Sequence, residues 1–141
     1  MLVKFDPAMH IRNIRKRHLE EVSDGRGGAL QGVSGLSGAG AVLDSGDPVG
    51  VDSIAMQPGS AFALHTHPGA HILVITEGEG IISVDGTDHV IREGDSVFVP
   101  ALYPHAVRAS DSLGVSFLAF GIPHRPVSAL DRMSLVKGPE A

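Results

Sequence analysis

The stretch Gly59-Ser-Ala-Phe-Ala-Leu-His65-Thr-His67-Pro-Gly-Ala-His71-Ile-Leu-Val-Ile-Thr-Glu-Gly78 contains three closely spaced histidines. Side chains two residues apart in a β-strand point to the same face, so His65 and His67 present their imidazoles side by side. Pro68-Gly69 then turns the chain, and His71 opens the next apolar run. Neighbouring strands lie ~4.8 Å apart, so His71 can face the same point as the first pair. One hairpin thus supplies three candidate metal ligands.

The residues around these histidines are apolar, which bears on what the histidines do. Phe62, Leu64, Ile72 and Leu73 are examples. Three imidazoles that converge in apolar surroundings cost free energy unless they are paired or bound to a metal. We therefore favour a metal site over a cluster of histidines that only hydrogen-bond or face solvent.

Short β-branched runs separated by turn sequences continue on both sides of this stretch. Asp85-Gly86 is the strongest hairpin signal, because this dipeptide favours the tight turns that join antiparallel strands. The pattern predicts strands near 40–43, 50–57, 61–66, 70–76, 79–84, 88–92, 96–99, 105–109 and 113–120. Strands this short and this closely spaced indicate an all-β sandwich or barrel.

A second stretch, Gly94-Asp-Ser-Val-Phe-Val-Pro100-Ala-Leu-Tyr-Pro-His105-Ala-Val-Arg-Ala109, contains a fourth histidine. Together the two stretches resemble the two sequence motifs of the cupin superfamily. The first fits in all its spacings, with His71 where most cupins carry Glu. In the second, Gly94, Pro100 and His105 match, whereas Leu102 replaces a Gly and Ala109 replaces an Asn.

The resemblance covers roughly residues 40–121 and implies a double-stranded β-helix, the jelly-roll barrel of cupins. It implies that His65, His67 and His105 are metal ligands and that His71 takes the place of the usual Glu. Some small cupins use four histidines. We expect one divalent transition metal per chain, which can be Mn, Fe, Ni, Cu or Zn because imidazole suits most of these ions.

Three parts are predicted along the chain. Residues 1–38 form an N-terminal arm or strands that can pair two copies, with a short helix over 11–22 and Gly-rich loops over 24–38. Residues 39–122 form the barrel, and residues 123–141 are a tail that packs on its outside. Small cupins commonly pair through the outer sheet, so the resemblance also implies a homodimer.

Composition narrows the class of protein. The net charge of -5 argues against a nucleic-acid partner, which needs a basic patch. The absence of Cys excludes disulfides and thiolate metal sites. No signal peptide and no apolar run long enough to span a membrane is visible, so we expect a soluble, cytoplasmic protein that does not bind membranes.

Few other residues are candidates for the chemistry. Tyr103 is the one Tyr and lies two residues before His105, where it can donate a hydrogen bond in catalysis. The remaining histidines are expected on the surface: His10, His18, His89 and His124. The pocket wall is predicted to consist of Met56, Phe62, Phe98 and Phe117.

Four neutral imidazoles leave the charge of the ion uncompensated, which favours anionic or enolate ligands. We therefore expect a metal-dependent enzyme that acts on a small oxygenated substrate, with dioxygenase or oxidase activity as the first hypothesis. A redox-neutral cyclase or isomerase, as in cupins of polyketide pathways, is the alternative within the same class. A non-catalytic module that binds a small ligand or metal is the second hypothesis, because a fold does not fix a function.

Overall fold

A computed structural model describes residues 3–15, 19–129 and 133–136 of the chain. The described structure is almost entirely β, as predicted. Its elements are α1 (Pro7–His10), β1 (Glu20–Ser23), β2 (Ala29–Val42), β3 (Pro48–Met56), β4 (Ala61–Thr66), β5 (Ala70–Val84), β6 (Thr87–Arg92), β7 (Ser96–Val99), β8 (His105–Ala109), β9 (Val115–Ile122) and β10 (Ser134–Leu135). In the part of the chain that the structure describes, no helix is both long enough and apolar enough to cross a membrane.

The strands form one curled antiparallel sheet in the order β1-β2-β3-β9-β5-β8-β4-β10, and β6 and β7 also pair with β5. The long β5 joins the two walls of the barrel. Its first half pairs with β7 and β9, and its second half pairs with β6 and β8. This arrangement is the predicted jelly roll.

A glycine lies where β5 passes from one wall to the other. The register shifts between Ile75 and Glu77, and Gly78 has a φ of 76°. The sequence pattern predicts two strands, over 70–76 and 79–84, but β5 continues through Gly78 as one strand. Because glycine tolerates positive φ, the chain can bend here without ending the strand.

The core fills the space between the two walls. Inward-facing side chains alternate with outward-facing ones along each strand, and the most deeply buried include Ile54, Ile75, Ile82 and Val99. This alternation is why short β-branched runs, rather than long apolar segments, enclose the core.

The N-terminal region differs from expectation. In place of a helix over 11–22, the described residues contain the short α1 before it and β1 at its end. Much of the predicted Gly-rich loop is β2, which pairs with β3 and continues past residue 38. A Cβ on Gly35 would lie 2.9 Å from Ile54 and 3.1 Å from Val127, so glycine lets β2 lie close to the core.

Candidate metal centre

Four histidines meet at one end of the barrel. His65 lies near the end of β4 and His67 just after it, while His71 is in β5 and His105 opens β8. His65 and His105 are paired residues of adjacent strands. His65, His67 and His105 are 2%, 7% and 3% exposed, so three polar rings lie in the interior.

Three of these rings bring their nitrogens together. The Nε2 atoms of His65 and His67 are 3.0 Å apart. The centre of the His105 ring lies 4.3 Å from that of His65 and 4.7 Å from that of His67. One nitrogen from each ring lies within 4.8 Å of the other two, which makes this group a candidate site for a single ion.

Backbone carbonyls orient two of the rings. The Nδ1 of His65 donates to the Ala63 carbonyl at 2.5 Å, and the Nδ1 of His105 donates to the Tyr103 carbonyl at 2.9 Å. These hydrogen bonds assign the proton to Nδ1 and leave the lone pair on Nε2. Histidine ligands of metal ions are usually held in this way.

Burial keeps His105 in the form that can bind a metal. It lowers the pKa of His105 below its ordinary value, and the hydrogen bond to the Tyr103 carbonyl opposes part of that effect. A neutral imidazole is the ligand form, because the protonated ring has no lone pair to offer.

The spacing fits an ion. Two lone pairs 3.0 Å apart repel each other unless a proton or cation lies between them. Nitrogens that each lie about 2.1 Å from one ion, at right angles to each other, are about 3.0 Å apart. The donor set therefore suits a transition metal that prefers imidazole.

The histidines line a small cavity of about 20 Å³. The other lining residues are all apolar: Phe62, Leu73, Val107, Phe117 and Ala119. This space can hold one ion or one water molecule. None of the described residues that line it carries a carboxylate, so the lining offers no negative charge to an ion bound there.

His71 lines the same cavity but is held differently. Its ring stacks on that of His67, with centres 4.0 Å apart and planes 17° apart. It is not in the group of three whose nitrogens converge. His71 therefore borders the candidate site without belonging to the group of converging nitrogens.

The predicted pocket residues fall in different places. Phe62 and Phe117 line the cavity, whereas Met56 is buried in the core elsewhere. Phe98 is 64% exposed and lies outside the pocket, because the alternation of β7 directs Val99 inward instead.

Tyr103 contacts the centre through its backbone. Its carbonyl holds His105, while its hydroxyl donates to Asp85 at 3.3 Å, in the turn between β5 and β6. The structure therefore gives the side chain a partner outside the histidine cluster.

One of the histidines expected on the surface lies inside the barrel. The Nε2 of His124 donates to the buried Asp52 at 2.8 Å. Sequence reasoning missed this pair because 72 residues separate the two and neither belongs to a motif. His89 is exposed, His10 is partly exposed, and His18 lies outside the described residues.

Comparison with known proteins supports this architecture. Residues 53–121 match the cupin domain family. The fold is similar to KdgF from Halomonas sp. (15% identity, TM-score 0.67, 82% of this chain and 95% of that one). It is also similar to the polyketide cyclase RemF from Streptomyces resistomycificus (17% identity, TM-score 0.67, 99% and 89%).

A more partial likeness is to a salicylate 1,2-dioxygenase from Pseudoaminobacter salicylatoxidans (19% identity, TM-score 0.54, 64% and 25%). No curated protein sequence matches the chain significantly. At these identities, the structural likeness establishes the fold alone.

Proposed function

Because the chain is a small member of the cupin superfamily, we propose that it is a metal-dependent enzyme acting on a small oxygenated organic molecule. One observation carries this proposal. Three buried imidazoles direct their nitrogens at one small cavity, and no described residue that lines it is a carboxylate. A buried group of this kind would cost free energy if it served packing alone.

In this proposal, His65, His67 and His105 hold one divalent transition metal, with His71 as a fourth ligand. The ion would act as a Lewis acid that polarises an oxygen of the substrate. The Ala63 and Tyr103 carbonyls keep two of the rings in the required orientation. The apolar lining excludes bulk water, which strengthens electrostatic interactions in the cavity.

We propose dioxygenase or oxidase chemistry as the first version of this function. The likeness to a salicylate 1,2-dioxygenase supports it, although that likeness covers only 64% of this chain. A redox-neutral cyclase is the second version, and one observation favours it: the likeness to the polyketide cyclase RemF extends over 99% of the chain. A small-molecule substrate and a cytoplasmic location belong to the same proposal.

Metal content and oxygen uptake test this proposal. The protein is purified without chelator or nickel resin and analysed for metals, and oxygen consumption is followed with catechols and β-dicarbonyls. We expect about one equivalent of a single transition metal per chain. Fe or Mn with oxygen uptake supports the first version, and Zn or Ni with substrate conversion but no uptake supports the second.

His65→Gln and His105→Gln should lose the metal. The control variant is His89→Gln, which should keep the metal because His89 is exposed on β6. A wild-type protein that contains no metal, and binds none when Fe, Mn, Ni or Zn is added, would overturn the proposal. A bound metal without turnover of any substrate would indicate a binding module instead.

A further inference from the structure

The loop between β7 and β8, residues 100–104, contacts two of the three converging histidines through its backbone. The Leu102 amide donates to the His67 carbonyl at 2.9 Å. The Tyr103 carbonyl accepts the 2.9 Å hydrogen bond from the Nδ1 of His105. The position of this loop therefore affects both histidines.

The two carbonyls that orient rings of the cluster lie in different surroundings. Ala63, whose carbonyl holds His65, lies within β4, a strand of the barrel wall. Tyr103, whose carbonyl holds His105, lies in the loop between two strands rather than in one. The position of the Tyr103 carbonyl therefore depends more on the contacts of the loop itself.

Two hydrogen bonds join this loop to the turn between β5 and β6. The Tyr103 hydroxyl donates to the Asp85 carboxylate at 3.3 Å, and the Asp85 amide donates to the Pro104 carbonyl at 3.3 Å. His105 is the strand partner of Val84, the residue before Asp85, so the turn lies beside the histidine. The side chain of Tyr103 thus connects the loop to the turn, while its carbonyl holds the His105 ring.

The backbone of Leu102 also indicates that contacts hold the loop in place. Its φ is 61°, a left-handed conformation that costs free energy in a residue with a side chain. Leu102 stands where the cupin motif usually has glycine, which adopts this conformation freely. A conformation of this kind persists where the surrounding structure imposes it, and the hydrogen bond to His67 is one such contact.

We propose that Tyr103 and Asp85 are positioning residues, whose hydrogen bond fixes the loop so that His105 keeps its Nε2 directed at the ion. This inference rests on the proposed function and gives Tyr103 a role that acts through His105. Without a fixed carbonyl the His105 ring can turn about its Cβ–Cγ bond, which takes the Nε2 lone pair away from the common centre. Both side chains of the pair are exposed to water, so the effect should be modest.

Binding of Co²⁺, a transition-metal ion that imidazole binds and that absorbs visible light, tests this role. The metal-free protein is titrated with Co²⁺ in competition with a chelator, and the absorption spectrum reports the geometry of the ligands. Tyr103→Phe removes the hydroxyl but keeps the carbonyl. Asp85→Gly removes the acceptor but keeps the turn, because glycine tolerates the φ of 51° at this position.

Asp85→Asn is the matched control. Its amide oxygen can still accept the hydrogen bond from Tyr103, whereas the negative charge is lost. Asparagine also tolerates positive φ, so the turn is retained. This variant therefore separates the loss of the charge from the loss of the hydrogen bond.

We expect Tyr103→Phe and Asp85→Gly each to bind Co²⁺ about threefold to tenfold more weakly than wild type, the scale of one hydrogen bond. The double variant should lose no more than either single variant, because both remove the same contact. Asp85→Asn should bind Co²⁺ like wild type. In Tyr103→Phe the spectrum of bound Co²⁺ should also change, and the Nδ1 proton of His105 should exchange faster with solvent by NMR. A purely structural role would lower the free energy of unfolding without altering either signal.

Wild-type affinity and an unchanged Co²⁺ spectrum in both Tyr103→Phe and Asp85→Gly would overturn the inference but leave the proposed function standing. An equal loss of affinity in Asp85→Asn and Asp85→Gly would also overturn it, because the charge of Asp85 would then account for the effect. If Asp85→Gly does not fold, the comparison of Tyr103→Phe with Asp85→Asn still decides. A wild-type protein that binds neither Co²⁺ nor any other transition metal refutes the proposed function, and this inference with it.

Discussion

His71 differs from His65 and His105 in how its ring is held. Carbonyl oxygens orient His65 and His105, whereas His71 stacks on His67. It is also more exposed than the buried three. The nitrogens of the three buried rings already converge on one point, whereas His71 is not part of this group.

We predict that His71→Gln folds normally but binds the metal about tenfold to a hundredfold more weakly than wild type, the usual scale for loss of a supporting contact. His65→Gln should lose the metal altogether, because its nitrogen is central to the converging group. Competition with a chromogenic chelator measures both affinities. Unchanged affinity in His71→Gln would mean that three histidines, not four, form the site.

At the scale of elements, β5 holds the two walls together, and its bend depends on Gly78. A Cβ at that position would lie only 2.1 Å from the Gly114 carbonyl oxygen, and φ is 76°. Gly86 has a similar φ of 79° but no atom within 4 Å of its Cβ position. Alanine at either position adopts an unfavourable positive φ, but only at Gly78 does its Cβ also clash with the backbone. Comparing the two substitutions therefore gives the cost of the clash.

We predict that Gly86→Ala lowers the free energy of unfolding by about 1 kcal/mol, the cost of placing alanine at positive φ. Gly78→Ala should lower it by about 3 kcal/mol or more, because the backbone of β5 or of the Gly114 turn must also move. Urea denaturation followed by circular dichroism measures the difference. Similar values for the two variants would show that the bend in β5 tolerates a side chain.

The sequence predicts some elements well and others poorly, and the reasons are physical. Strands such as β4 and β8 are evident because alternation and turn residues agree with each other. β2 is hidden because its glycines indicate a loop, although Gly35 serves close packing against Ile54. The histidine cluster is predictable because a motif places its members, whereas the pairing of Asp52 with His124 depends on how β9 and the tail return over β3.

At the scale of the whole molecule, one outer face is apolar across four strands. Phe98, Ile72, Phe120 and Val51 are successive cross-strand neighbours on β7, β5, β9 and β3. The first three are 64%, 42% and 40% exposed. Contiguous apolar patches of this kind are rare on monomers and mark interaction surfaces.

These four side chains form an apolar ridge. Two of them, Val51 and Phe120, also line a groove of about 400 Å³, together with small residues such as Gly40, Gly50 and Gly121. An exposed apolar ridge that borders an apolar groove can pack against the same surface of a second copy. Two copies related by a twofold axis can each place the ridge of one in the groove of the other. None of the described residues that line the groove is an Asp, Glu, Lys or Arg, so no fixed charge from them is buried in this contact.

We therefore predict a homodimer that forms through this face. Light scattering after size exclusion should give the mass of two chains at micromolar concentration. Phe120→Glu should shift the protein to monomer, because a carboxylate buried in an apolar interface is costly. Leu113→Glu is the matched control, since Leu113 is 66% exposed in the turn before β9 and away from the ridge, and it should remain dimeric. A wild-type protein that is monomeric at high micromolar concentration would contradict the prediction. A Phe120→Glu variant that stays dimeric would contradict it too, because the two copies would then contact each other through another surface.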